Sequence, residues 1–164
     1  MNTDTSRSLR ALLLESSVMA LGTLQGNEPY VSMVPFAVDP TGKCLIIHTS
    51  RLAAHTQNMR RNERVSVLVT EPEGSDKMPQ SLARVTIQGI AREVTADEAD
   101  YPRWRKAYLE RFPSAAPLFD FADFSLFLID VTSARLVAGF AQAVTLDAKS
   151  FAAAVSDVSN GAHG

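Results

Sequence analysis

Apolar positions change period along this chain, and the changes mark out its elements. Leu9, Leu12 and Leu13 recur at helical spacing behind Ser6, so residues 6–15 read as a short amphipathic helix with that serine as its cap. Strand patterns follow. Residues 18–24 and 30–38 flank the turn Gln25-Gly26-Asn27-Glu28, a connection short enough to make them an antiparallel hairpin. Pro35 has no N–H to give a ladder, so the second of these strands is expected to be an edge or to carry a bulge there. Past Asp39-Pro40-Thr41-Gly42, residues 43–49 set Leu45, Ile46 and Ile47 side by side, as in a strand buried on both faces.

The second half repeats the pattern with longer units. A helix is predicted over residues 51–61 with Ser50 as N-cap, then a β-branched strand over 64–70 and a polar loop over 71–80 holding Pro72, Gly74 and Pro79. Residues 82–94 read as a long strand in which Arg84, Thr86 and Gln88 alternate with Val85 and Ile87, bending at Gly89. Thr95 and Glu98 form a capping box for a helix to about residue 112, whose stripe of Tyr101, Trp104, Tyr108 and Phe112 is read as core. Strands at 124–131 and 135–146 come next, and Asp147 caps a last short helix. About seven strands with helices inserted singly predict an antiparallel barrel and not a doubly wound sheet. One domain is expected over 1–164, with its core at 9–146 and a short helix and tail at 147–164.

Composition narrows the chemistry. With 164 residues, 46% of them hydrophobic, and a net charge of −2, the chain has enough apolar side chains for a core and no overall attraction to nucleic acid. Cys44 is the sole cysteine, which excludes an internal disulfide and a thiolate metal site. No apolar leader and no run of about 18 apolar residues is present, so the expectation is a cytoplasmic protein with no membrane segment. The sequence holds no Gly-x-Ser-x-Gly elbow, no His-Glu-x-x-His helix and only three histidines, which argues against hydrolase and zinc-enzyme readings. Asp97, Glu98 and Asp100 are accounted for by the dipole of the helix they open.

The segment from Ser50 to Asn58 is where an anion could be held. A helix start offers unpaired N–H groups and a positive dipole end, and His55 and Thr56 lie about one turn further in. Five ordered blocks then carry a family resemblance: Pro29-Tyr30-Val31-Ser32-Met33-Val34-Pro35-Phe36, Ser50-Arg51-Leu52-Ala53-Ala54-His55-Thr56-Gln57-Asn58, Arg84-Val85-Thr86-Ile87-Gln88-Gly89, Phe121-Ala122-Asp123-Phe124-Ser125-Leu126-Phe127 and Ala134-Arg135-Leu136-Val137-Ala138-Gly139-Phe140. Together, over residues 9–146, they resemble the pyridoxamine 5′-phosphate oxidase-like FMN-binding split barrels, nearest to the heme-utilisation (HugZ-like) branch without its C-terminal domain.

That resemblance implies a mainly β fold, a six-stranded antiparallel split β-barrel, and a homodimer with two FMN sites at the subunit interface. By position it implies that Ser32, Met33, Val34 and Pro35 line the isoalloxazine edge and that His48, Thr49 and Ser50 lie near the ribityl chain and phosphate. His55 stands where the oxidase has a phosphate-binding Lys, Thr56 is a further donor, and Arg84, at the place of a flavin-contacting Gln, supplies a fixed positive charge. Gly139 and Phe140 would pack near the cofactor. Ser32 replaces a phosphate-binding Arg, and Ala53 and Ala54 replace Ser and Arg. These departures imply a less positive phosphate site and argue against pyridoxamine phosphate oxidase activity itself. The leading expectation is an FMN-dependent oxidoreductase acting on a small molecule, with no catalytic side chain nominated. The alternatives are a heme-binding or heme-utilisation protein, with His163 as a possible axial ligand, and a non-catalytic flavin-binding module.

Overall fold

The computed structural model describes residues 3–74, 76–138 and 143–156. Strand β1 (Val18–Gln25) pairs with β2 (Glu28–Pro35) from Val18↔Pro35 to Gln25↔Glu28, and the connection turns through Gly26 at a φ of 64°, a conformation in which glycine has no Cβ to clash. β2 takes the edge position expected from Pro35, at one end of the strand order, but the single strand expected over 30–38 is broken. β2 ends at Pro35, Phe36 turns inward with no exposed surface, and the chain resumes as β3 (Ala37–Val38), which abandons β1 and pairs with β4 (Cys44–Ser50).

After helix α2 (Ala54–Arg61) come β5 (Arg64–Thr70) and β6 (Arg84–Val94). Helix α3 (Tyr101–Arg111) and a 3₁₀ segment (Pro113–Asp120) then lead into β7 (Phe124–Val137), β8 (Ala143–Asp147) and α4 (Ala148–Ser156), while α1 (Thr3–Glu15) opens the described chain. All pairings are antiparallel, in the order β2-β1-β5-β6-β7-β4-β3 with β8 attached to β7. The path begins on β2 and ends on β3, consecutive in sequence, so the sheet curls back on itself. That is a split barrel with peripheral helices.

Six strands were expected, and the described residues form seven along the path plus β8. One extra comes from the break at Phe36. The two strands foreseen at 124–131 and 135–146 divide elsewhere: β7 runs unbroken through Thr132-Ser133-Ala134, because the Thr132 and Ser133 hydroxyls bond the Gln88 carbonyl (3.0 Å) and Gln88 Oε1 (3.2 Å). Opposite them β6 shifts register between Gln88 and Gly89. A Cβ at Gly89 would meet the Asp130 carbonyl oxygen at 2.7 Å, so the bulge needs glycine.

Two apolar clusters share the strands. The first fills the barrel with Leu21, Phe36, Leu45, Ile47, Ile87 and Phe127, closed by Leu9 and Leu13 of α1 and Phe151 of α4. The second lies outside β4 and β7, where Ile46, Leu126 and Leu128 pack under Trp104 and Tyr108 of α3. β4 is thus buried on both faces, as its run of aliphatics predicted, and the aromatic stripe of α3 is core. Two caps differ in detail. Asp147 Oδ1 accepts the Ser150 N–H (2.8 Å) as expected, whereas the Thr95–Glu98 bond (3.0 Å) closes a turn ahead of α3, which itself starts at Tyr101. No helix among the described residues is long and apolar enough to cross a membrane.

Candidate functional site at the barrel mouth

Helix α2, with the sequence Ala-His-Thr-Gln-Asn-Met-Arg-Arg, covers the open end of the barrel, although its composition is that of a surface helix. Polar pairs hold it there. Thr56, fully buried, donates its hydroxyl to the Ser50 carbonyl (2.7 Å) and lies 2.9 Å from Thr49 Oγ1. Buried Asn58 donates Nδ2 to Thr23 Oγ1 on β1 (3.0 Å). Arg60 grips both Glu93 oxygens on β6 (2.9 and 2.7 Å), and Ser32 Oγ on β2 lies 3.1 Å from His55 Nδ1. Each such bond adds about 1 kcal/mol net, but leaving one buried partner unpaired costs about 1–3 kcal/mol. The pairs therefore fix the position of α2 more than they stabilise the fold.

The helix start differs from its expected form. Ser50 does not cap α2: the N-cap is Ala53, with no side-chain cap, and Ser50 Oγ accepts the Leu52 N–H (3.2 Å) in the turn before it. The first helical turn of α2 is left without a side-chain acceptor. Beside it, half-buried His55 has its pKa lowered by burial, so at neutral pH the ring is an uncharged donor and acceptor.

Of the ten residues singled out by resemblance, five gather here: Ser32 with His55, and Thr49, Ser50 and Thr56 in one hydrogen-bonded knot. Thr49 and Thr56 are sealed off, with 5% and 0% exposure, and their hydroxyls serve the fold. Val34 is core, while Met33 and Pro35 are exposed.

His48 does not join the group. Strand alternation sends Thr49 inward and His48 to the opposite face, where its ring stacks on Phe119 (centroids 3.8 Å, 4° between planes) and meets Tyr108 and Phe124. Burial, with Arg105 nearby, lowers its pKa to about 4, and its Nδ1 is buried without a hydrogen bond. Arg84 does not join either. The Arg84 guanidinium instead bonds the carbonyls of Leu82 (3.0 Å) and Gln80 (3.3 Å). Gly139, Phe140 and His163 lie outside the described residues.

Sequence reasoning missed Thr23, Asn58 and the Arg60–Glu93 pair. Apolar periodicity is blind to them, because a helix that buries its amides and hydroxyls looks like one that solvates them. No cluster of three or more His, Cys, Asp or Glu side chains able to hold a metal ion occurs among the described residues.

Residues 6–138 match the family model described as pyridoxamine 5′-phosphate oxidase. A non-canonical chloroplastic heme oxygenase, HOZ, from Arabidopsis thaliana is 36% identical over 115 residues, which cover 70% of this chain and 33% of that protein. The heme oxygenase HutZ of Vibrio cholerae is 29% identical over 131 residues, covering 79% of this chain and 73% of that one. Among solved structures, a heme-binding protein from Mycobacterium smegmatis superposes with a TM-score of 0.80 at 25% identity, over 91% of this chain and 60% of that one. The chain thus spans one third of the Arabidopsis relative's length and three fifths of the mycobacterial structure.

Proposed function

From the premise that the chain belongs to the pyridoxamine 5′-phosphate oxidase family, we propose that it is a heme-binding protein of the split-barrel class, with its ligand seated at the mouth where Ser32 and His55 meet. The observation that carries this reading is the pair that meets there, a hydroxyl and an uncharged imidazole, with Arg51 of the preceding turn bonded to Ser125 (3.0 Å). The position at which the family's oxidase binds the FMN phosphate with charged side chains is held in this chain by a serine and a neutral imidazole, next to Ala53 and Ala54. A flavin phosphate would gain little from that set, whereas an uncharged imidazole is the form that ligates iron.

His55 suits such a role by geometry. Its Nδ1 is engaged by Ser32 Oγ, which fixes the ring and leaves Nε2 as the nitrogen to offer. His48, clamped among three aromatic rings, cannot do this. The relatives named for heme and the neutral Ser32–His55 pair support the same ligand class independently.

The working form we propose is a homodimer. Val31 and Met33 on β2 and Leu68 on β5 expose 68%, 65% and 39% of their surface, and the register places Met33, Ala20 and Leu68 in one row on the outside of the sheet. A self-complementary apolar face of this kind is what a second copy would cover, and it would bring the partner's Arg84 within reach of a shared ligand. FMN in that shared site is the second reading, favoured by the family alone.

Absorbance titrations of the purified protein with hemin and with FMN separate the two, alongside its mass in solution. A saturable Soret band on a dimer, with FMN displaced by hemin, is the expected result. Tight FMN binding without a Soret band would replace this reading with the flavoprotein one.

A further inference from the structure

We propose that the cleft at the far end of α2 is a binding site for a small doubly charged oxyanion, a dicarboxylate or a diphosphate group, gripped between Arg61 and Arg64. The cleft measures about 530 Å³, within the usual span of small-ligand sites. Its rim carries Arg60, Arg61, Arg64 and Arg92 with Glu63 and Glu93, over a floor that includes Phe127.

The four guanidiniums are not equivalent. Arg60 is spent on Glu93 and Arg92 on Glu98 (2.7 Å each), whereas Arg61 and Arg64 form no ion pair among the described residues. A basic residue in the last turn of a helix is ordinarily explained by the dipole, and that covers Arg60 and Arg61. It does not cover Arg64, which opens β5 and brings a second unneutralised charge to the same cleft. With Glu98 included, four cations face three carboxylates in a chain whose overall charge is −2.

The turn that carries the two arginines is fixed. Asn62 Oδ1 accepts the Arg64 N–H (3.1 Å), and the Ala91 N–H donates to the Glu63 carbonyl (2.7 Å). Two guanidinium forks carried on one rigid turn match an anion with two charged groups. The site lies six residues along α2 from His55, at the opposite end of the helix, and the inference does not depend on the heme reading.

The test is a calorimetric and amide-NMR titration of the intact protein at low ionic strength with inorganic pyrophosphate and with succinate, against sodium chloride at matched ionic strength. Saturable binding of either, with shifts centred on residues 61–64 and 91–93, is expected; pyrophosphate alone would assign the phosphate class, succinate alone the dicarboxylate class. Removing two charge-assisted contacts should weaken that binding at least about tenfold in R61Q/R64Q, and Arg7→Gln, an exposed arginine on α1, should leave it unchanged. Saturation by neither anion up to about 10 mM, far weaker than two charge-assisted contacts imply, or equal affinities for R61Q/R64Q and the unaltered protein, would overturn the assignment.

Discussion

His48 and His55 are seven residues apart and share an ordinary solution chemistry, yet the fold gives them opposite fates. His48 lies two residues before the end of β4 on the outer face and is enclosed by Phe119, Phe124 and Tyr108. His55, the second residue of α2, lies at the mouth and meets one hydroxyl. Burial lowers both pKa values, in His48 to about 4. The difference lies in what surrounds them: aromatic rings leave His48 no room to exchange partners, while His55 keeps a nitrogen and a way out. A histidine becomes available to a ligand through its setting, and sequence spacing alone does not reveal that setting.

The largest way to break this contrast is to open the aromatic enclosure. Tyr108 is 3% exposed and packs against His48, Phe112 and Phe119, so Tyr108→Ala should cost about 3 kcal/mol in urea unfolding. It should also return the His48 titration toward its ordinary value, read by proton NMR. An unchanged His48 titration would show that the enclosure does not set its pKa.

A smaller effect follows from pH. The folded pKa of His48 lies below its unfolded value, so the unfolded chain binds the extra proton first. Its neutral-state stability is complete above about pH 6.5, declines as pH falls toward about 4, and levels off below that. With screening allowed for, the loss is on the order of 1–2 kcal/mol. His48→Gln should flatten this limb of the pH–stability curve, and His55→Gln should leave most of it.

At the mouth, Asn58→Ala removes the donor to buried Thr23 Oγ1, which keeps only its own bond to the Tyr30 carbonyl (3.3 Å), and should destabilise by about 1 kcal/mol. Loosening of α2, measured as faster amide exchange across 54–61, should accompany it. Ser32→Ala should have the smallest effect on stability, within about 0.5 kcal/mol, since its partner is half exposed. It should nonetheless change the His55 tautomer balance seen in nitrogen-15 spectra.

The contrast also marks how far the sequence could be read. Alternation of Arg84, Thr86 and Gln88, the hairpin turn, and the aliphatic run of β4 are local patterns with a fixed geometric meaning, and they placed the barrel correctly. The edge position of β2 was foreseen because proline lacks a donor, while the strand break at Phe36 was not. Nor was the continuity of β7, because it depends on hydroxyl bonds to a strand more than forty residues away. Adjacent residues on one strand face opposite sides, so His48 and Thr49 were grouped by position in sequence and separated by the pleat. Likewise Ser50, a good cap by composition, found its donor two residues on.

The most direct test of which region meets the ligand is an amide-NMR titration with zinc protoporphyrin, a diamagnetic stand-in for heme. Shifts concentrated on Ser32, His55 and the first turn of α2, with the resonances of His48, Phe119 and Tyr108 unmoved, are the predicted result. Shifts centred on His48 and its aromatic neighbours, or none at either histidine, would contradict the account.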